Sequence, residues 1–142
     1  MRRKVCVALA LCFLLGLLAG CGARRQGLPE EPIVFQRGEY DTEGLDSPYV
    51  TVEHNGKVFL PYGSIRPKGL LRDMSYAFGD CLGYVEGDKN DRLYALKGSS
   101  TEEWLIAFYE NGEMEMPLVY RELGVPKEET PECVESLGGE WE

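Results

Sequence analysis

Strong turn signals separate short runs of β-branched and aromatic residues along the middle of the chain. Residues 49–53 read Tyr-Val-Thr-Val-Glu, an Asn-Gly pair follows at Asn55-Gly56, and Val58, Phe59 and Leu60 resume the pattern. Branched and aromatic side chains favour extended strands, and Asn-Gly is a preferred two-residue turn of a β-hairpin. The segment therefore predicts an antiparallel hairpin.

Two more hairpins are predicted further along the chain. The first joins residues 76–86 to residues 92–97 through the polar turn 87–91. The second joins residues 104–110, an almost continuous apolar run that indicates a buried strand, to residues 113–120 through Asn111-Gly112. A short helix with Thr130 as its cap, or a loose tail, is expected near the C-terminus.

These hairpins define the fold class that we expect. The chain is predicted to be mainly β, a small antiparallel meander of about five to seven strands curled into a barrel or sandwich, because curling removes exposed sheet edges.

The N-terminal segment has the pattern of a secretory signal. A basic head, Met1 to Lys4, precedes sixteen residues without a charge, Val5 to Gly20. A transmembrane helix needs about 20 consecutive apolar residues, so this run is short for a span. We expect it to be removed rather than retained.

Leu18, Ala19 and Gly20 close the apolar run directly before Cys21. This sequence resembles the lipobox of bacterial lipoproteins, and by this lipobox and its size the chain is similar to small uncharacterised lipoproteins of Gram-positive bacteria. The resemblance implies that signal peptidase II recognises Leu18, Ala19 and Gly20 and cuts before Cys21, whose thiol carries a diacylglyceryl group. The protein would then face outside the cytoplasm, held on the cell membrane by a lipid anchor whose acyl chains, such as palmitate, lie in the bilayer. An ordinary signal peptide with a bystander cysteine is the alternative.

The chain divides into four predicted regions. They are the signal peptide 1–20, the lipidated cysteine and a flexible tether 21–48, an antiparallel β domain 49–125, and an acidic C-terminal tail or short helix 126–142.

Charge limits the partners that we expect. The chain has 15 Lys and Arg and 24 Asp and Glu residues, and removal of Arg2, Arg3 and Lys4 with the signal deepens the net charge from −9 to −12. Such a charge disfavours binding to nucleic acid or to anionic lipid headgroups, and it favours solubility close to a negatively charged surface.

Two cysteines remain after the signal and the lipidated position are set aside. Cys81 and Cys133 could form a disulfide that closes a loop of about 50 residues. The alternative is two free thiols, with Cys81 buried as a small hydrophobic residue.

No catalytic residue, metal ligand or cofactor site is predicted. The only histidine, His54, precedes the Asn-Gly turn and is expected to be exposed. The carboxylate pairs Asp88 with Asp91 and Glu102 with Glu103 have spacings that chance explains in so acidic a chain.

Aromatic residues offer a candidate binding surface. Tyr62, Tyr84, Tyr94 and Tyr109 are predicted to form an aromatic patch for a ligand or partner on a small barrel. We therefore expect a non-catalytic binding or interaction module for a small ligand or an envelope protein. One alternative is an inhibitor or immunity lipoprotein that blocks a secreted enzyme or toxin through the acidic stretch 128–142 or residues 88–91, and a third is a carboxylate-dependent envelope hydrolase.

Overall fold

The computed structural model describes residues 27–44, 46–112 and 116–138. The predicted signal and Cys21 lie outside the described residues. The described chain forms eight strands: β1 Ile33–Tyr40, β2 Tyr49–His54, β3 Lys57–Ile65, β4 Phe78–Val85, β5 Asp88–Leu96, β6 Trp104–Tyr109, β7 Leu118–Glu122 and β8 Val134–Ser136. Two single turns of 3₁₀ helix occupy Ser75–Ala77 and Lys127–Glu129.

Seven of the strands close into a barrel. The hydrogen-bonded order is β2-β1-β4-β5-β6-β7-β3, and β3 pairs back onto β2. Strand β8 is an extra strand that pairs with the last residues of β3, Gly63 to Ile65. The predicted mainly-β class and its curling into a barrel are confirmed.

The barrel closes through one parallel seam. Strands β1 and β4 run parallel from Ile33 opposite Gly83 to Phe35 opposite Val85, whereas all other named strand pairs are antiparallel. A Cβ atom at Gly83 would lie 1.8 Å from the carbonyl oxygen of Ile33. Glycine therefore allows the close backbone approach at the seam, which joins the run β1–β3 to the run β4–β7.

The β2–β3 turn lies where the sequence predicts it, whereas the β4–β5 turn is shorter than predicted. Asn55 and Gly56 both have positive φ, 50° and 75°, which is the conformation of a two-residue type I′ hairpin turn. The β4–β5 turn is Glu86-Gly87, since Val85 pairs with Asp88. Most of the predicted polar turn 87–91 thus belongs to β5, where a shift of register accommodates the extra residues.

Strand β6 is buried on both faces, as its apolar run predicts. Alternate side chains point to opposite sides of a sheet, so the strands feed two cores. The inner core, inside the barrel, consists of Phe35, Val52, Phe59, Val85, Leu93, Leu105, Ala107 and Tyr120. The outer core covers the opposite face and consists of Tyr62, Ile65, Ala77, Cys81, Tyr94, Leu96, Trp104, Ile106, Phe108, Val119, Val125 and Val134.

The predicted domain limits and the predicted C-terminal helix need correction. Strand β1 lies within the predicted tether 21–48, and the extra strand β8 lies within the predicted tail 126–142, so the sheet extends past 49–125 on both sides. Thr130 is not the N-cap of a following helix: it ends the 3₁₀ turn Lys127–Glu129, and its hydroxyl donates to the carbonyl of Lys127, 2.7 Å away. Val134 is buried and pairs with Ile65, which makes this segment a strand.

Cys81 and Cys133 are free thiols, so the disulfide alternative is not the one that the structure adopts. Cys81 belongs to the outer core, and Cys133 packs half-buried against the same core. Burial raises the pKa of both thiols, which keeps them protonated and less reactive near neutral pH.

Among the described residues, no helix has the length and apolar character required to cross a membrane.

Candidate functional site

A cavity of about 170 Å³ lies at one end of the barrel, which we call the open end. This end carries the Asn55-Gly56 turn between β2 and β3 and the loop that leads into β6. The cavity is lined by Ile33, Phe35, His54, Asn55, Lys57, Phe59, Leu82, Thr101, Glu102 and Leu105.

The floor of the cavity is apolar. Phe35, Phe59 and Leu105 are buried members of the inner core, and they come from β1, β3 and β6. Ile33 and Leu82 pack partly buried against that core and form the wall. The floor is therefore the last layer of inner-core side chains at this end of the barrel. The space beyond that layer is not filled by side chains.

The rim of the cavity is polar and open to solvent. Asn55, Thr101 and Glu102 are exposed, and the Lys57 ammonium lies 3.5 Å from the Glu102 carboxylate. The two side chains are 40 and 75% exposed, respectively, so water screens this ion pair. Both groups are available to a bound molecule at little energetic cost.

His54 is part of the rim and is only half-buried, in contrast to the expected exposed turn residue. Its ring centroid lies 5.2 Å from that of Phe35, with the planes tilted by 51°. His54 packs against Phe35 because it is the last residue of β2 and lies at the open end of the barrel. The imidazole thus forms part of the boundary between the apolar floor and solvent.

The cavity lining holds few titratable side chains. The lining offers one imidazole, one ammonium and one carboxylate, and of the four carboxylates considered as catalytic pairs only Glu102 lines it. In the described part of the chain, no group of three or more His, Cys, Asp or Glu side chains could hold a metal ion.

The predicted tyrosine patch does not form. Tyr62 and Tyr94 are buried in the outer core. The Tyr62 ring meets Trp104 edge-on at 5.4 Å, and the Tyr94 hydroxyl donates to the Glu110 carboxylate. Burial, and then the bond to Glu110, raises the pKa of Tyr94, so this phenol is held in its neutral form.

Tyr84 and Tyr109 are more accessible but are engaged separately. The Lys89 ammonium lies 5.8 Å from the centre of the Tyr84 ring, and the Tyr109 hydroxyl donates to Asp88 over 2.8 Å. The backbone N–H of Asn90, followed by this hydroxyl, lowers the pKa of Asp88. Asp88 therefore lacks the raised pKa that a catalytic acid of a two-carboxylate hydrolase requires.

The opposite end of the barrel, which we call the plugged end, is filled by polar side chains. Arg37 follows Phe35 by two residues and shares its inward face. The Arg37 guanidinium donates to the Tyr120 hydroxyl, 3.1 Å away, and pairs with the Asp91 carboxylate. These three side chains link β1, β5 and β7 across the barrel.

The sequence prediction missed most of the cavity. Ile33 and Phe35 fall within the predicted region 21–48, and Leu105 falls within a predicted buried strand that carries no predicted site. Their apolar side chains predict burial in a core. Only the closure of the barrel brings these residues together around one cavity.

Comparison with known proteins gives no match: no protein-family model, no curated protein and no solved structure matches this chain.

Proposed function

We propose that this protein is a lipid-anchored, extracytoplasmic binding module that takes the apolar group of a small amphiphilic ligand into the open end of its barrel. The observation that carries the binding role is the cavity there, with its floor of Phe35, Phe59 and Leu105 beneath a polar rim. The anchor is supported by Leu18, Ala19 and Gly20 before Cys21. No catalytic step is part of the proposal.

The volume of the cavity limits the ligand. A cavity of about 150 Å³ lined by aliphatic and aromatic side chains accommodates benzene. At about 170 Å³, the open end suits one aromatic ring or a short branched alkyl group. Larger parts of a ligand would lie outside, against the rim.

The rim sets the polarity of the exposed part of the ligand. His54, Lys57 and Glu102 provide donors and an acceptor around one opening. A polar or charged group on the ligand can replace water at Lys57 and Glu102, because their own ion pair is exposed. The favoured class is thus a small molecule with one apolar group and one polar end.

Nuclear magnetic resonance titration with benzene, indole and hexanoate tests the binding role. We expect backbone amide shifts at Phe35, Phe59 and Leu105 that saturate. Ile33→Trp should block them by filling the cavity wall, whereas Val34→Trp, on the outward face of β1, should leave them intact. Saturable shifts that are equal in both variants, or no shifts with any probe, would refute the proposed site.

Fractionation of the expressing bacterium tests the anchor. Wild-type chain should sediment with membranes and carry label from radioactive palmitate, and Cys21→Ala should lose both properties. Unchanged processing and membrane retention in Cys21→Ala would rule out the lipid anchor.

A second candidate, an inhibitor or immunity lipoprotein, is favoured by one surface feature. Glu128, Glu129, Glu132 and Glu135 are all exposed within a short stretch of the C-terminal segment. Such a surface is complementary to a basic enzyme or toxin. Capture of a secreted basic protein by wild type, and its loss when these four residues are changed to glutamine, would favour this role.

A further inference from the structure

Residues Arg66–Asp73, which we call the Leu70-Leu71 hairpin, present two adjacent leucines to solvent. Leu70 and Leu71 are 103 and 94% exposed, more than any other large hydrophobic residue described. Scattered exposed apolar residues are ordinary, but two neighbours at one tip form an apolar point without an intramolecular role.

The backbone holds this tip in a defined shape. Lys68 and Asp73 exchange two backbone hydrogen bonds of 2.8 Å each, and the Arg72 N–H donates to the Gly69 carbonyl over 3.2 Å. Gly69 and Arg72 have positive φ, 69° and 51°. The leucines therefore project from a closed turn.

The tip is surrounded by positive charge in an acidic protein. Arg66, Lys68 and Arg72 are exposed, and Asp73 is the one acidic residue of the hairpin. The Asp73 carboxylate accepts hydrogen bonds from the backbone and the hydroxyl of Ser75. Against a net charge of −9 for the chain, this is a local basic collar.

The base of the hairpin is fixed to the body of the domain. The Lys68 ammonium lies 3.9 Å from the centre of the Tyr76 ring, and the Tyr76 hydroxyl donates to the Arg66 carbonyl over 2.8 Å. Met74 and Tyr76 pack against the outer core. These contacts hold the hairpin in a fixed position on the domain.

The N-terminal side of the described chain approaches the same core. Leu28 packs against the outer core, as do Met74 and Tyr76. Leu28 lies seven positions after Cys21 in the sequence, a reach of at most about 25 Å at ~3.3–3.6 Å per residue. An anchor at Cys21 would keep this face of the domain close to a bilayer.

We propose that the Leu70-Leu71 hairpin is a second membrane contact, which inserts its two leucines into the interface of a bilayer rich in anionic phospholipid. The inference rests on the proposed lipid anchor to bring the domain to the membrane. It adds the orientation of the domain on that membrane.

The basic residues of the hairpin favour an anionic bilayer as its binding partner. Interfacial binding combines buried apolar side chains with basic residues at the headgroups, and juxtamembrane Lys and Arg residues are attracted by anionic lipid. The hairpin carries three basic residues and one acidic residue in an otherwise acidic chain, so it is the part of the described domain that we expect anionic lipid to attract. The two leucines enter the interface while Arg66, Lys68 and Arg72 remain at the level of the phosphates.

Hydrogen exchange tests this contact. It is measured on the full-length protein after purification from membranes. The protein is reconstituted into vesicles of phosphatidylcholine alone or with about one third phosphatidylglycerol, and exchange is followed at residues 66–73. We expect exchange there to slow about tenfold on the anionic vesicles, with the protection lost at high salt. The double change Leu70→Ser with Leu71→Ser should abolish the protection.

Controls separate folding, the contact and the anchor. Leu123→Ser, at another exposed leucine, should keep the protection, and urea unfolding should show the double variant to be as stable as wild type because both leucines are fully exposed. Cys21→Ala on phosphatidylcholine vesicles, where the hairpin is not expected to bind, reports on the anchor alone: unchanged attachment to these vesicles refutes the anchor. Equal exchange at 66–73 on both vesicle types, or protection that persists in detergent with a co-purifying protein, overturns the membrane contact.

Discussion

The two ends of the barrel are built by the same strands but differ in what fills them. Strand β1 contributes Phe35 to the floor of the open end and Arg37 to the plugged end. At the plugged end, Arg37, Asp91 and Tyr120 satisfy one another, and the interior is occupied. At the open end, the polar groups stand at the rim and leave about 170 Å³ above the floor. This barrel thus has a cavity at the end whose last layer is not plugged.

The largest effect is expected from Leu105→Ala at the floor of the open end. Leu105 is 1% exposed, so its truncation should cost about 2–5 kcal/mol of unfolding free energy through lost burial and an enlarged cavity. Urea unfolding followed by circular dichroism measures the change, with the exposed Val50→Ala as the control. A loss equal to that of Val50→Ala would mean that the floor collapses to fill the space and that the open end is not a rigid site.

A smaller effect is expected from Tyr120→Phe at the plugged end. The change removes the acceptor of one hydrogen bond from Arg37, which should cost about 0.5–1.5 kcal/mol at neutral pH.

The same variant should alter the alkaline limb of stability. Burial raises the pKa of Tyr120, so the folded protein keeps this proton after the unfolded chain has lost it. The contribution is complete below the unfolded pKa of about 10 and is lost as pH rises towards the folded pKa. Unfolding between pH 9 and about 11 should therefore be less pH-dependent in Tyr120→Phe than in wild type; an identical slope would show that Tyr120 is not buried in its neutral form.

The smallest effect is expected from Asp88→Asn, on the rim of the plugged end. The pKa of Asp88 is lowered by the N–H of Asn90 and then by Tyr109, so its stabilising effect is present above the unfolded value of about 3.9 and disappears as pH falls through the lower folded value. Asp88→Asn should slightly flatten the acid limb of stability below about pH 4, whereas Glu128→Gln serves as the exposed control. A matching change in both variants would assign the effect to net charge rather than to the bonds at Asp88.

The local part of this fold could be predicted from the sequence. The β2–β3 hairpin follows from Asn55-Gly56, because both residues tolerate positive φ. The burial of β6 follows from its unbroken apolar run, which only a strand covered on both faces can hide. Each of these signals is contained within a few residues.

The long-range part could not be predicted in this way. Ile33 pairs with Gly83, and nothing near either residue identifies the other. The alternation of side chains along a strand likewise predicts which face Tyr62 or Tyr94 occupies. It does not predict whether another segment covers that face. The outer core covers it, so two residues of the expected patch are buried and the candidate site lies elsewhere.

The long-range strand pairings also determine when the domain can be completed during synthesis. A chain that emerges from its N-terminus releases β1 first, yet the partner of Ile33 follows only 50 residues later. Until then one edge of β1 has no partner, and β3 waits still longer for residues 118–122 of β7. Non-local pairings of this kind slow folding and leave sheet edges open to other chains. The order of emergence therefore leaves β1 and β3 each with an unpaired edge during synthesis, and the edge of β3 stays open for the longer stretch of chain.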